Sequence, residues 1–310
     1  MTRRVEPDAV TLYLIERLGN QLFQYGAGLA QARRLGVPLS LNLAYYRHKR
    51  PIRKNYAKTL ELDAFDHGAI IPEDPRCHQH PVLALPAVPA ARLWHNAINP
   101  RLPRFTPPVF MEQSLDYDPR VETVEAGTTL IGFFQSLRYI ESVLPELRMR
   151  IPRLTDPSPW YVETTERLAA DQGAILLNVR RSDYMLDQNR AIQGVVGRGY
   201  YANALRVARR LGYDGPVYVV SDSIDLAMKE LDGLDHLIPL APPPGTKPLE
   251  ILLAVSKTDA LVMANSTFSW WAGVLGSQEN RLVVAPRPWM TAERDTHDLF
   301  PVDWMTLGRS

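Results

Sequence analysis

The chain has 310 residues, 45% of them apolar and 22% charged, and its 35 basic and 34 acidic side chains leave a net charge of +1. That balance argues against nucleic acid or an anionic membrane as the main partner, because both demand a concentrated basic surface. A single cysteine, Cys77, excludes an internal disulfide framework and points to a reducing, cytoplasmic compartment.

At roughly 150 residues per domain, this length suggests two domains or one large one. No run of about 18 apolar residues occurs, so no membrane-spanning segment is expected. The basic start at Met1 to Arg4 leads into Glu6-Pro7-Asp8 rather than an apolar stretch, so no signal peptide is expected.

In chain order, Val10 to Ile15 reads as a strand, Arg17 to Gln21 as a turn, and Leu22 to Leu35 as a helix stopped by Gly36. Nine prolines then fall between Pro72 and Pro108. Such a segment cannot sustain long helices or central strands. It reads as an irregular insertion with short helical pieces around Leu93 to Ile98. Beyond it the alternation is strict. Strands are expected at Ala174 to Val179, Val217 to Val220, His236 to Leu240, Ala260 to Met263 and Leu282 to Ala285. Helices are expected at Tyr200 to Leu211, Ser223 to Leu231, Pro248 to Ser256 and Trp270 to Leu275. This pattern predicts a doubly wound parallel sheet, in which ligands bind beyond the carboxyl ends of the strands.

Three loops qualify on that rule. The first carries Asn178, Arg180, Arg181 and Asp183. Side chains alternate at a strand end, so one arginine can grip a phosphate while the other pairs with a carboxylate such as Asp183. The second is Ser221-Asp222-Ser223, a helix start whose polar groups can also meet a sugar or phosphate. The third, Asn265, Ser266, Thr267, Phe268 and Ser269, places three hydroxyls at a helix N-terminus, where free amides favour an anion. Asp259, just before that strand, can accept hydrogen bonds from guanine N1 and N2. An arginine and a hydroxyl-rich helix start on one sheet edge describe a diphosphate site.

Other chemistries are weakly supported. No phosphate-binding P-loop sequence is present, and Gly26-Ala27-Gly28 is followed by Gln31 where a dinucleotide fingerprint needs glycine. Asp116-Tyr117-Asp118 and Cys77-His78-Gln79-His80 are poor metal candidates, so no metal and no cofactor are expected. No serine or cysteine sits in a nucleophile elbow.

Five ordered segments resemble glycosyltransferase family 11, the α-1,2-fucosyltransferases of bacteria and animals. They are Arg17 to Tyr25, Gly132-Phe133-Phe134-Gln135-Ser136 with Tyr139, Asn178 to Tyr184, Val220 to Ser223, and Ala264 to Gly273. The resemblance implies an α/β GT-B fold of two Rossmann-like doubly wound domains facing a central cleft. They would divide as 1–155, on the acceptor side and bearing the Pro72 to Pro108 insertion, and 156–310, holding the GDP-sugar. It implies inverting, metal-independent transfer of L-fucose from GDP-fucose to a galactose-type hydroxyl of a glycan acceptor.

By matching positions, Arg180 grips the diphosphate, Asp259 reads guanine, Ser266 to Ser269 line the phosphates, and Asn20 with Gln21 closes over the donor. Asp183 is the candidate acceptor base. Asn178, Ser182 and Glu16 stand where the family carries histidine, glycine and glycine, so another GDP-sugar is the alternative donor, and a catalytically degenerate sugar-binding protein is the alternative outside catalysis. Bacterial members often act on surface-glycan precursors, which places the expectation in the cytoplasm, at the inner membrane face, as a peripheral association.

Overall fold

The computed structural model describes residues 8–47, 59–72, 108–181, 194–234, 236–276, 281–291 and 298–309. The chain divides into two compact units, Met1–Ile151 and Pro152–Ser310. The division thus falls a few residues ahead of position 155. Most of the proline-rich segment, with Leu93 to Ile98 and Cys77 to His80, lies outside the described residues, as do Ser182, Asp183 and Tyr184.

In the first unit, β1 (Val10–Tyr13) leads into α1 (Leu18–Leu35), then β2 (Leu39–Asn42) and the short α2 (Ala44–Arg47). After the proline-rich segment come β3 (Val109–Met111), β4 (Thr129–Ile131) and α3 (Leu144–Arg150). The strands form one parallel sheet in the order β2-β1-β4-β3. Only β1 is legible in the sequence. The other three, β2, β3 and β4, were not expected from the sequence.

Helix α1 starts at Leu18, so the expected turn at Arg17 to Gln21 is its first turn. Gly19 and Asn20 are poor helix formers and suggest a loop. The structure offsets this from outside the helix: Arg17 provides no side-chain cap, and the Glu61 carboxylate accepts from Leu18 N instead. Gly36, at φ 67°, closes the helix in the left-handed region. Gly26 and Gly28 serve packing, since a Cβ would lie 2.7 Å from Ile140 Cγ2 and 2.9 Å from Leu39 Cδ1 respectively.

The second unit runs α4 (Pro159–Ala170), β5 (Ile175–Val179), α5 (Arg198–Arg210), β6 (Val217–Ser221), α6 (Ile224–Glu230) and β7 (Leu237–Pro239). It continues with α7 (Pro248–Val255), β8 (Ala260–Val262), α8 (Thr267–Val274), β9 (Leu282–Arg287) and β10 (Met305–Gly308). All six strands are parallel, in the order β10-β9-β8-β5-β6-β7. The order reverses between β5 and β8, as in dinucleotide-binding sheets, and a reversal opens a crevice beyond the carboxyl ends of those two strands.

Every residue of β5 is buried, as its continuous apolar run predicts. Its neighbours in the core are Tyr200 and Tyr201 of α5, both fully buried, whose hydroxyls donate to Val284 O at 2.9 Å and Asn178 O at 3.0 Å. Each of the two successive units is thus a parallel α/β sheet, as expected. Among the described residues, no helix is long and apolar enough to cross a membrane.

Candidate functional site

The reversal between β5 and β8 puts the residue at the end of one strand beside the helix that follows the other. Asn178, next to last in β5, accepts a hydrogen bond on Oδ1 from Ser269 Oγ at 2.5 Å. Ser269 Oγ in turn lies 2.9 Å from Ser266 Oγ, and Ser266 Oγ accepts from Ser269 N at 3.2 Å. Ser266 is the N-cap of α8, so the hydroxyl cluster and the positive end of that helix coincide. Thr267 and Phe268 occupy the first turn and are half-buried, whereas Ser266 and Ser269 are buried.

Tryptophan packing sets this helix start. Trp270 and Trp271 are fully buried, Trp270 Nε1 donates to Leu299 O at 2.8 Å, and Gly273 leaves room for the Trp304 ring. The helix begins three residues earlier than the expected Trp270, because Ser266 caps it and the intervening polar residues are its first turn.

On the β6 side, Asp222 organises the loop leaving β5. Its Oδ2 lies 3.1 Å from Arg180 Nε, and its Oδ1 accepts from Arg181 N at 2.8 Å. Arg180 and Asp222 keep side-chain exposures of 20% and 17%. Pairing through Nε fixes the guanidinium plane and leaves its fork geometry suited to a phosphate. Arg181 points into the protein. Its guanidinium donates to Arg180 O at 2.8 Å and Val196 O at 3.0 Å and lies 3.6 Å from Glu230. The alternation of the two arginines therefore holds, with Arg181 beside Glu230; Asp183, its expected partner, lies outside the described residues. Asp222, expected at the ligand, is a partner of Arg180. Ser223 stands at the N-cap of α6 without a side-chain cap bond, and its N donates to Ser221 Oγ at 3.0 Å.

Three further residues expected at the ligand make the following contacts within the protein. Asp259 precedes β8 and so stands at the amino edge of a parallel sheet, away from the loops that follow the strands. Its carboxylate accepts from Gly173 N at 2.6 Å. Asn265 is buried and its Nδ2 donates to Trp289 O at 3.2 Å and Gly194 O at 3.4 Å, which ties neighbouring loops together. Gln21, in the first unit, is fully buried. Its Nε2 lies 2.9 Å from each of Glu16 O, Tyr46 Oη and Thr59 O, and its Oε1 accepts from Glu61 N at 2.9 Å. A buried amide satisfied at both poles fastens loops and has no donor left for a ligand.

Asn20 behaves differently. It is half-buried in the first turn of α1, and its Oδ1 accepts from Gln135 Nε2 at 2.9 Å. The first unit also reverses its strand order, between β1 and β4, and this bond bridges the loops leaving those two strands. Sequence reasoning assigned no role to Gln135 or to the buried Glu112 beside it, although Gln135 lies inside a motif it had singled out.

Elsewhere, Asp118 of the D-x-D segment caps a 3-10 turn and pairs with Arg120, which holds its carboxyl below the usual range. Among the described residues, no group of three His, Cys, Asp or Glu side chains could hold a metal.

The model of glycosyl transferase family 11 matches residues 132–308. An α-1,2-colitosyltransferase of Escherichia coli is 23% identical over 306 residues, covering 94% of this chain and 96% of its own. The Escherichia coli O-antigen biosynthesis glycosyltransferase WbnK is also 23% identical, over 315 residues, with coverage of 94% and 97%. Among solved structures, the fucosyltransferase NodZ from Bradyrhizobium aligns with a TM-score of 0.47 at 15% identity, covering 85% of this chain and 92% of its own.

Proposed function

Because the chain belongs to glycosyl transferase family 11, we propose that this glycosyltransferase moves L-fucose from GDP-fucose to a galactose-type hydroxyl of a glycan, forming an α-1,2 linkage with inversion and without a metal ion. The observation that carries the reading is the assembly at the β5/β8 reversal: Arg180 held by Asp222, with Asn178, Ser269 and Ser266 joined at the start of α8. Breaking the bond between the anomeric carbon and phosphate builds positive charge on the sugar ring and negative charge on the departing diphosphate. A fixed guanidinium and a helix N-terminus supply donors for that negative charge, the part a divalent ion plays in other transferases. Asp183 is the acceptor-base candidate of this reading.

One observation favours a second donor. A relative spanning nearly the whole chain is named a colitosyltransferase, and Asn178 replaces the histidine of the family motif. GDP-colitose is therefore the alternative sugar nucleotide. The other relative's name points to a surface-glycan precursor as acceptor, worked on by peripheral association at the cytoplasmic membrane face.

The test is a transfer assay with GDP-fucose and GDP-colitose against a glycan array, with EDTA present and the product linkage determined by NMR. The expected result is an α-1,2-linked 6-deoxy sugar on galactose-ended glycans. Failure with every GDP-sugar overturns the donor class, and loss of transfer only on chelation overturns the metal-free step.

A further inference from the structure

The hydroxyl cluster at the start of α8 has a direction. Each serine owns one hydroxyl proton. Ser269 spends its proton on Asn178 Oδ1 at 2.5 Å. In the 2.9 Å contact between the two serines, Ser266 is therefore the donor. Ser266 Oγ in turn accepts from Ser269 N at 3.2 Å. Both hydroxyl protons are thus used inside the protein, and neither is left for a phosphate. The chain runs one way, from Ser266 through Ser269 to the Asn178 amide oxygen.

An amide whose oxygen is engaged offers its NH2. Asn178 is only 6% exposed, and among the described residues its Nδ2 has no hydrogen-bond partner. A donor buried to that degree is costly unless something meets it. Its place in β5 says what that is. Ile175, Leu177 and Val179 pack into the core with Tyr200 and Tyr201 of α5. Side chains alternate, so Asn178 and then Arg180 point to the other face, the one α8 covers. The amide therefore shares a face with the guanidinium that Asp222 holds, beside the positive end of α8. A guanidinium, a helix N-terminus and an aimed NH2 at a strand-order reversal together suit a negatively charged oxygen.

We propose that Ser266 and Ser269 are positioning residues that set the polarity of the Asn178 amide, so that Nδ2 donates to a diphosphate oxygen of the sugar nucleotide beside Arg180. The proposal rests on the reading of this crevice as the GDP-sugar site. Asn178 touches the ligand, and the two serine hydroxyls act through it.

The experiment measures the dissociation constant of GDP-fucose by calorimetry, without acceptor, for the full chain and for N178A, N178D, S269A and the double variant S269A/N178A, with melting temperatures checked for each. N178A removes the donor and should weaken binding about tenfold. N178D keeps the shape and an oxygen for Ser269 but turns its second oxygen toward the diphosphate. It should weaken binding on the order of a hundredfold at neutral pH. Facing an anion, that carboxyl holds its proton above the ordinary carboxylate range, and once protonated it donates. The N178D loss, taken as a ratio to wild type at each pH, should therefore shrink as pH falls from about 7.5 to about 5. S269A leaves the Ser266 cap in place and frees the amide to turn, which should weaken binding about fivefold. In the N178A background it should cost less than about twofold more, since coupled sites are non-additive.

N178D binding no more weakly than N178A at neutral pH, or with a loss that ignores pH, overturns the polarity of the amide. An undiminished S269A loss in the N178A background overturns the positioning role of Ser269. N178A at the wild-type affinity overturns the Asn178 contact. Wild-type protein that does not bind GDP-fucose overturns the parent reading, and the proposal with it.

Discussion

Two arginine–aspartate neighbourhoods lie at opposite edges of the six-stranded sheet, and they are built for different ends. At the carboxyl edge, Arg180 is held by one side-chain carboxylate through Nε and stays one-fifth exposed. At the amino edge, Arg281 donates from Nε to Thr258 O at 2.8 Å and from its terminal nitrogens to Ala272 O at 2.6 Å and Val255 O at 3.2 Å. It thereby stitches together the C-terminal ends of α7 and α8, within the field of the Asp259 carboxylate. Burial pulls the Arg281 guanidinium down to about 10, still far above neutral, so it remains a cation inside a ring of carbonyls. Composition cannot separate these arginines; the difference lies in which strand end each one occupies. A guanidinium saturated by backbone carbonyls is a structural fastener, and one paired with a side-chain carboxylate and still partly exposed suits a binding group.

The largest expected effect follows from the carboxyl edge. Arg180→Ala should reduce kcat by about 10²–10³, or about 2.7–4 kcal/mol, the range for removing one donor to a developing anion. Its thermal stability should change little, because the pair it loses is partly solvated. A variant turning over GDP-fucose near the normal rate breaks the comparison on this side. Arg281→Ala should do the reverse and destabilise the second unit by about 3 kcal/mol, through carbonyls left unsatisfied at two helix ends. Chemical denaturation of both variants measures this directly. Comparable losses of stability would show that the two arginines play the same part.

Asp222→Asn sharpens the contrast. The amide can still accept from Arg181 N but no longer offers a charge to Arg180, so the guanidinium is steadied less. The expected loss is about tenfold in kcat/KM, near 1.4 kcal/mol, smaller than deleting Arg180. A loss equal to that of R180A would make Asp222 a ligand group in its own right.

Much of this was legible beforehand, and the misses have physical causes. In the second unit β5, β6, β8 and β9 hold continuous apolar runs, which identify them, whereas β10, its run broken by Thr306, was not expected. The Ser266 to Ser269 cluster was visible because capping hydroxyls must sit where a helix begins. In the first unit β1, α1 and its Gly36 stop were legible, but the strands after them were not. Glu16 stands at φ 69°, and its carbonyl accepts from Gln21 Nε2 and Tyr46 Oη. The glycine that the family carries there is explained by that backbone, but the fastening role of Gln21 is not deducible from it. Satisfaction of a buried amide depends on residues such as Tyr46, Thr59 and Glu61, far away in the chain. Glu112 was invisible for the same reason, its partners being 21 and 22 residues on.

Asp259 shows how a residue's place relative to a strand decides its chemistry. A residue preceding a parallel strand sits at the amino edge, while ligand loops follow the strand, so its carboxylate serves Gly173 N and the field of Arg281. Asp259→Asn keeps an oxygen for the Gly173 amide and removes only the charge. The expected cost is about 1 kcal/mol of stability, with GDP affinity by calorimetry unchanged within about twofold, a difference of ~0.4 kcal/mol. A carboxylate that read guanine would behave otherwise. Losing a charged acceptor to two base nitrogens would weaken GDP binding at least tenfold, by about 1.5–3 kcal/mol, and leave the melting temperature in place. The two readings therefore move opposite observables, and one titration with one melt decides between them.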